Sequence, residues 1–297
     1  MNFKNIIYLL SALLIAGCSS DEKTKVNSEP LAKPSHEKLN ISILLDLSDR
    51  IDTKKHPNPG MEFYQRDLGY IESISKAFER HLSSKPIIRD DDYIQVYFEP
   101  EPLNPEINKL AKKLKLSFTK SNTTRETIRE ITPQYKSAVT EIYKLAMQDS
   151  HYVGSDIWGF FKSKVKDYCI KSNHRNILFI LTDGYIYHKD SKFSGEGKTS
   201  YLTPELIRSL QLNTSDYEEI IEKNKLGYIK ATGDLDELEV VVLGIQPMKG
   251  NPFEGDVIHT YWNNWFKEMK VKNAGMTPIS ADLPSNVDPL IQKFINH

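Results

Sequence analysis

Two polar turns carry the residues best suited to chemistry. Asp46, Ser48, Asp49 and Arg50 follow the run Leu39-Asn-Ile-Ser-Ile-Leu-Leu45, and Asp183-Gly184 follows Asn176-Ile-Leu-Phe-Ile-Leu-Thr182. Carboxylates and hydroxyls are hard oxygen donors, the kind that suit Mg²⁺, Ca²⁺ or Mn²⁺. A third segment, Gly154-Ser155-Asp156, sets a hydroxyl beside an acid just ahead of Ile157-Trp-Gly-Phe-Phe161. Singly, each has a plainer explanation: Asp46 and Asp183 can cap turns, and Ser155 with Asp156 can form a helix N-cap. Together, Asp46, Ser48, Ser155 and Asp183 make a cation site if the fold gathers them.

The surrounding pattern says how it could. Leu39–Leu45, Tyr93–Phe98, Asn176–Thr182 and Glu239–Leu243 read as strands. The third and fourth of these are apolar almost throughout, as in a parallel sheet covered on both faces. Leu116-Ser-Phe118 can add a short edge strand and Thr277-Pro-Ile-Ser280 a last one. Between them lie helical patterns. Met61, Leu68, Ile71, Ile74, Phe78 and Leu82 recur at helical spacing. Ile128–Met147 follows, with Pro133 expected to break or kink it, then Ile157–Ile170, Val257–Val271 and Val287–Ile295. Strands alternating with helices predict an α/β, doubly wound, mainly parallel sheet flanked by helices. In such a sheet, ligands bind beyond the carboxyl ends of the strands where the strand order reverses.

The three motifs, in this order and strand context, resemble the von Willebrand factor A (vWA) domain, a Rossmann-like family. That family carries D-x-S-x-S after its first strand, a Thr in a later loop and D-G after its fourth strand. Asp46, Ser48 and Asp183-Gly184 match, and Ser155 stands where the Thr is expected. The resemblance spans residues 39–297, with insertions near 100–123 and 185–235. It implies a metal-ion-dependent adhesion site that uses Mg²⁺, Mn²⁺ or Ca²⁺ to bind a carboxylate offered by a protein partner. The departure is Arg50, where the second Ser belongs; a guanidinium has no lone pair for a metal. Either Asp49 lends a carboxylate while Arg50 turns outward, or Arg50 pairs with Asp46 or Asp183 in place of the cation. Asp156 is a further neighbour able to modify the site.

Met1–Lys4 followed by the apolar run Ile6–Ala16 and Gly17-Cys18 reads as a secretory signal. Ile15-Ala16-Gly17-Cys18 resembles the bacterial lipobox, which implies lipidation of Cys18. More than one acyl chain would anchor the chain stably. Residues 1–17 are then a signal peptide, 18–37 the lipidated Cys and a polar tether, and 38–297 the vWA-like domain. Ser20-Asp21-Glu22 resembles the acidic signal that sends some lipoproteins to the cell surface. The expected place is the bacterial cell envelope, anchored by lipid at the outer membrane.

Composition narrows the rest. The chain has 297 residues and a net charge of −1, which gives no global reason to expect nucleic acid as a partner. Of its two cysteines, Cys169 sits in an apolar helical pattern and is expected to be a buried thiol. Ile107, Leu110, Ala111 and Leu114 mark a short helix with Lys109, Lys112, Lys113 and Lys115 mostly on its other face, either a solvated face or a surface for phosphate or acidic lipid.

Enzyme signatures are weak, and no enzyme activity is expected. A phosphohydrolase of the haloacid dehalogenase type needs a second Asp two residues after the first, and that position is Ser48. There is no G-x-S-x-G elbow, Walker A loop or H-E-x-x-H. A binding or assembly module is the leading expectation. The alternatives are that phosphohydrolase, or a metal-free structural lipoprotein that docks through exposed aromatics such as Trp262 and Trp265.

Overall fold

The computed structural model describes residues 37–149, 152, 154–272 and 279–296. The segment read above as a signal peptide, residues 1–17, lies outside the described residues, as do Cys18 and Ser20-Asp21-Glu22. The first half runs β1 (Leu39–Leu45), α1 (Phe63–Ser83), β2 (Asp91–Tyr97), α2 (Pro105–Lys113), β3 (Leu116–Thr119), α3 (Arg125–Arg129) and α4 (Ile131–Asp149). Then come α5 (Ile157–Ser163), α6 (Val165–Cys169) and β4 (Arg175–Leu181). A small three-stranded sheet follows, of β5 (Ser194–Gly195), β6 (Lys198–Thr199) and β7 (Gly227–Tyr228), with α7 (Pro204–Ser209) and α8 (Tyr217–Lys223) between its last two strands. The chain closes with β8 (Leu238–Ile245), α9 (Glu254–Met269), β9 (Ile279–Ser280) and α10 (Pro284–Asn296).

The main sheet has the order β3-β2-β1-β4-β8-β9, parallel except for the antiparallel edge strand β3. Its central strands are buried on both faces because each faces a helical layer. Ile41, Ile43 and Leu45 join Phe179 and Leu181 in a core with α1, α4 and α10. Leu44, Leu178 and Ile180 join α5 and α9 on the other side. Period-2 alternation therefore persists, but both faces are buried, which is the doubly wound arrangement; on β1 the second face carries the buried polar residues Asn40 and Ser42.

Two helices differ from the periodic reading. Pro133 does not break its helix: it is the third residue of α4, in the first turn, where backbone N–H groups have no intrahelical acceptor to lose. The apolar stripe from Ile157 to Ile170 is split at Lys164, whose φ of −125° leaves the helical region and separates α5 from α6. Segment 100–123 supplies α2 and the sheet's edge strand, so part of it belongs to the main sheet. Segment 185–235 forms the small sheet with α7 and α8.

Trp262 and Trp265 are buried in the α9 core. That removes them as a docking face. Cys169 is buried too, and burial pushes its thiol up to about 12, so it stays a thiol at neutral pH. Among the described residues, no helix is long and apolar enough to cross a membrane.

The turn after β4 depends on Gly184. Its φ is +100°, and a Cβ there would lie 2.6 Å from Ile245 Cδ1 and 2.8 Å from Ile258 Cγ2. The Trp262 indole N–H donates to the Gly184 carbonyl at 2.8 Å, tying the turn to α9. Gly184→Ala combines a strained φ with overpacking. It should lower the unfolding free energy by about 2–3 kcal/mol in a urea titration.

Candidate functional site

β1 pairs in parallel with β4, Leu45 opposite Leu181. From β1 the order steps to β2 on one side and to β4 on the other, so the reversal falls between these two strands. Asp46 and Asp183 leave their strands on the same edge of the sheet, and the Asp46 N–H donates to the Leu181 carbonyl at 3.1 Å. An open recess of about 470 Å³ lies there, lined by Asp46, Ser48, Ser155 and Asp183 together with Arg50. The four candidate ligands from three separate motifs therefore face one space.

Each is held locally. Asp46 is 2% exposed. Its Oδ1 accepts from the Ser48 N–H at 2.9 Å and its Oδ2 from the Thr182 hydroxyl at 2.8 Å. Asp183 is half-buried at the foot of the recess, where its Oδ1 accepts from the Tyr185 N–H at 3.2 Å. Burial, followed by the nearby Asp46 carboxylate, pushes the Asp183 carboxyl up to about 7, and the Arg50 charge only partly opposes this. Ser155 is buried and its backbone bridges Tyr187.

Arg50 turns inward. It lies in the short 3-10 turn Asp49–Ile51 and is 4% exposed. Its Nη2 donates to Asp67 Oδ2 at 2.5 Å and to the Leu181 carbonyl at 3.1 Å. Its Nε donates to the Asp46 carbonyl at 3.2 Å and stands 3.4 Å from Asp46 Oδ2. Tyr143 from α4 donates its hydroxyl to the same Asp67 oxygen at 2.7 Å. Burial alone would lower the Arg50 pKa, but Asp67 and then Asp46 outweigh it and hold the guanidinium charged. Asp67 is itself held above the usual carboxylate range by burial, against the pull of Arg50.

This corrects the first of the two Arg50 alternatives. Arg50 does not turn outward, and Asp49 does not reach across in its place. The Asp49 carboxylate is at the rim, 3.1 Å from the Lys55 ammonium. Arg50 pairs with Asp46, and more closely with Asp67. Asp156 is turned to capping: its Oδ1 accepts from the Gly159 N–H at 2.8 Å and from the Ser191 hydroxyl at 2.6 Å.

Asp67 and Tyr143 are the members the sequence reading missed. A signal existed for the first. Asp67 keeps helical register with Ile71, Ile74 and Phe78, so it is an acid on the buried stripe of α1. Tyr143 lies on an ordinary apolar face and gives no such sign.

The donor set suits a small hard cation. Among the described residues, Ser48 Oγ, Ser155 Oγ and the second carboxylate oxygen of Asp183 have no protein hydrogen-bond partner. The Arg50 charge is directed first to Asp67, so it does not cancel both Asp46 and Asp183. A cation held here would take oxygens from Asp46, Ser48, Ser155 and Asp183, one fewer than the full adhesion motif provides. The rim adds Lys55, His56, His188 and Lys189 with Tyr152, Tyr185 and Tyr187.

No family model matches the chain, and no curated protein matches it. Among solved structures, the chain is similar to an aerotolerance-related membrane protein from Bacteroides fragilis NCTC 9343 carrying multiple mutations to serines. The identity is 12% over 87% of this chain and 98% of that one, with a TM-score of 0.39. It is also similar to the pilus adhesin SpaC from Lactobacillus rhamnosus GG, at 9% identity over 87% of this chain and 30% of that one, with a TM-score of 0.39. The doubly wound assignment rests on the strand order of the sheet itself.

Proposed function

We propose that this chain is a binding module of the von Willebrand A type, lipid-anchored through Cys18 in the bacterial cell envelope. It would take a carboxylate of a protein partner at a divalent-cation site. The observation that carries this reading is the convergence of Asp46, Ser48, Ser155 and Asp183 on one recess at the strand-order reversal. A cation there, Mg²⁺, Mn²⁺ or Ca²⁺, supplies an electrophilic centre for an incoming carboxylate. Asp46 and Asp183 balance part of its charge, and the two hydroxyls leave it short of donors. At the rim Asp49 offsets Lys55, and Lys189 would favour an acidic segment as it approaches.

A second reading is favoured by one distance. The Arg50 Nε lies 3.4 Å from Asp46 Oδ2, close enough for the guanidinium to serve as the site's own cation. Isothermal titration with Mg²⁺ and Mn²⁺ separates the two. The expected result is a saturable heat for the wild type that is absent in Asp183→Ala. A wild type that gives no heat with either ion, yet unfolds normally, supports the Arg50 reading and removes the divalent one. Hydrolysis of a generic phosphate ester with Mg²⁺, lost in Asp46→Asn, would instead favour the phosphohydrolase.

A further inference from the structure

A second recess, of about 700 Å³, lies against β2 and is lined by residues of α2 and α6. It draws positive charge from three places. Lys112 and Lys113 end α2, Lys115 precedes β3, and Lys164 stands between α5 and α6. Lys164 is paired with Glu99. Among the described residues, Lys112, Lys113 and Lys115 have no acid within ion-pair distance. The lining also holds the acid Glu101, and the three unpaired lysines outnumber it in a concave setting where their fields reinforce one another, although the protein as a whole is near neutral.

An aromatic wall accompanies the charge. Tyr97 and Tyr168 stack with ring centroids 5.0 Å apart and an interplanar angle of 27°. The Lys115 ammonium sits 4.8 Å from the Tyr97 centroid and 6.0 Å from that of Tyr168, a contact that draws it toward the two rings. Tyr168 is 42% exposed, although its partner ring is largely covered. Helix-dipole compensation accounts for lysines in the last turn of α2. It does not account for Lys115, which lies past the helix, or for the exposed ring beside it.

We propose that this recess is a binding site for a phosphate-bearing anion, its phosphate held by Lys112, Lys113 and Lys115 and its body packed on Tyr168. Lysine meets phosphate as a point charge with three donors, and an aromatic face accepts either a ring or an alkyl segment. Such a phosphate can come from a soluble compound or from a lipid headgroup. The proposal is independent of the cation site.

The test is isothermal titration of the full chain in chelator-containing buffer, with four probes. These are inorganic pyrophosphate, dihexanoylphosphatidylglycerol below its micelle concentration, its phosphatidylcholine counterpart and a polyglutamate peptide. Binding of pyrophosphate is expected, weakened about tenfold or more in Lys113→Gln/Lys115→Gln, which removes two of its charged donors. Both lysines are exposed, so the double variant should keep the wild-type unfolding midpoint. Binding of the phosphatidylglycerol alone, with the same loss in the variant, assigns the site to a headgroup. Silence with both phosphates, equal binding by the double variant, equal binding of the phosphatidylcholine, or response to polyglutamate alone overturns the proposal.

Discussion

Arg50→Ala is expected to lower the unfolding free energy by about 3–5 kcal/mol, the usual effect of removing one partner from a buried ion pair. The size follows from what stays behind. Asp67 and Asp46 each have side chains only 2% exposed, and the guanidinium is the cation that faces both. Tyr143 supplies Asp67 with a hydroxyl but no charge. The deficit should depend on pH with a definite sign. Burial already raises the Asp67 pKa in the folded chain above its unfolded value, and removing Arg50 raises it further. A group of that kind stabilises the fold below its unfolded pKa and loses that contribution as pH rises through the folded one. The Arg50→Ala deficit should therefore be smaller at pH 5 than at pH 8. Urea titrations at the two pH values check both size and direction. The double variant Arg50→Met/Asp67→Leu, which removes the isolated charge, should recover a large part of the loss. A single-variant loss below about 1 kcal/mol, typical of an exposed pair, would mean that water reaches Arg50.

The same residue explains where the sequence was readable and where it was not. The sheet was legible because β4 and β8 are apolar almost throughout, and that pattern has few structural solutions. That β1 and β4 are neighbours at the reversal was a condition of the site, implied by the vWA resemblance, and the strand order meets it. Asp46, Ser48 and Asp183 could then be placed together because they sit at strand ends, where position along the chain fixes position in space. Ser155 was placed by motif order alone, and a loop made its side of the recess. The direction of Arg50 was not legible. A long side chain in a turn can reach water or core, and what decides between them is Asp67, seventeen residues on and in another element. Helix ends were misread for a related reason. Periodicity reports which face is buried, but a single non-helical φ at Lys164 interrupts the helix without disturbing the apolar stripe.

Asp183→Asn is expected to stabilise the metal-free protein at pH 8 by about 2–4 kcal/mol and to leave its stability at pH 4 nearly unchanged. The upper value is the free energy of a carboxyl held at about 7 against an unfolded value of 3.8; solvent entering the recess reduces it. The sign is set by proton uptake. Between these two pKa values the folded chain binds the proton more tightly than the unfolded one, so this residue's contribution is present below pH 4 and is lost as pH rises through about 7. The asparagine keeps the shape and an oxygen for the Tyr185 N–H while removing the charge that Asp46 repels. Thermal unfolding with chelator present, from pH 4 to 8, should show the wild type falling relative to the variant across that window. Divalent cations should reverse the ranking at pH 8, because an ion bound beside Asp46 turns the repelled charge into a ligand. Its apparent affinity should weaken below pH 7, by up to about tenfold per pH unit, as protons compete for Asp183. If added Mg²⁺ and Mn²⁺ leave the asparagine variant the more stable protein at pH 8, the recess holds its two carboxylates without a divalent ion and Arg50 is the cation they share.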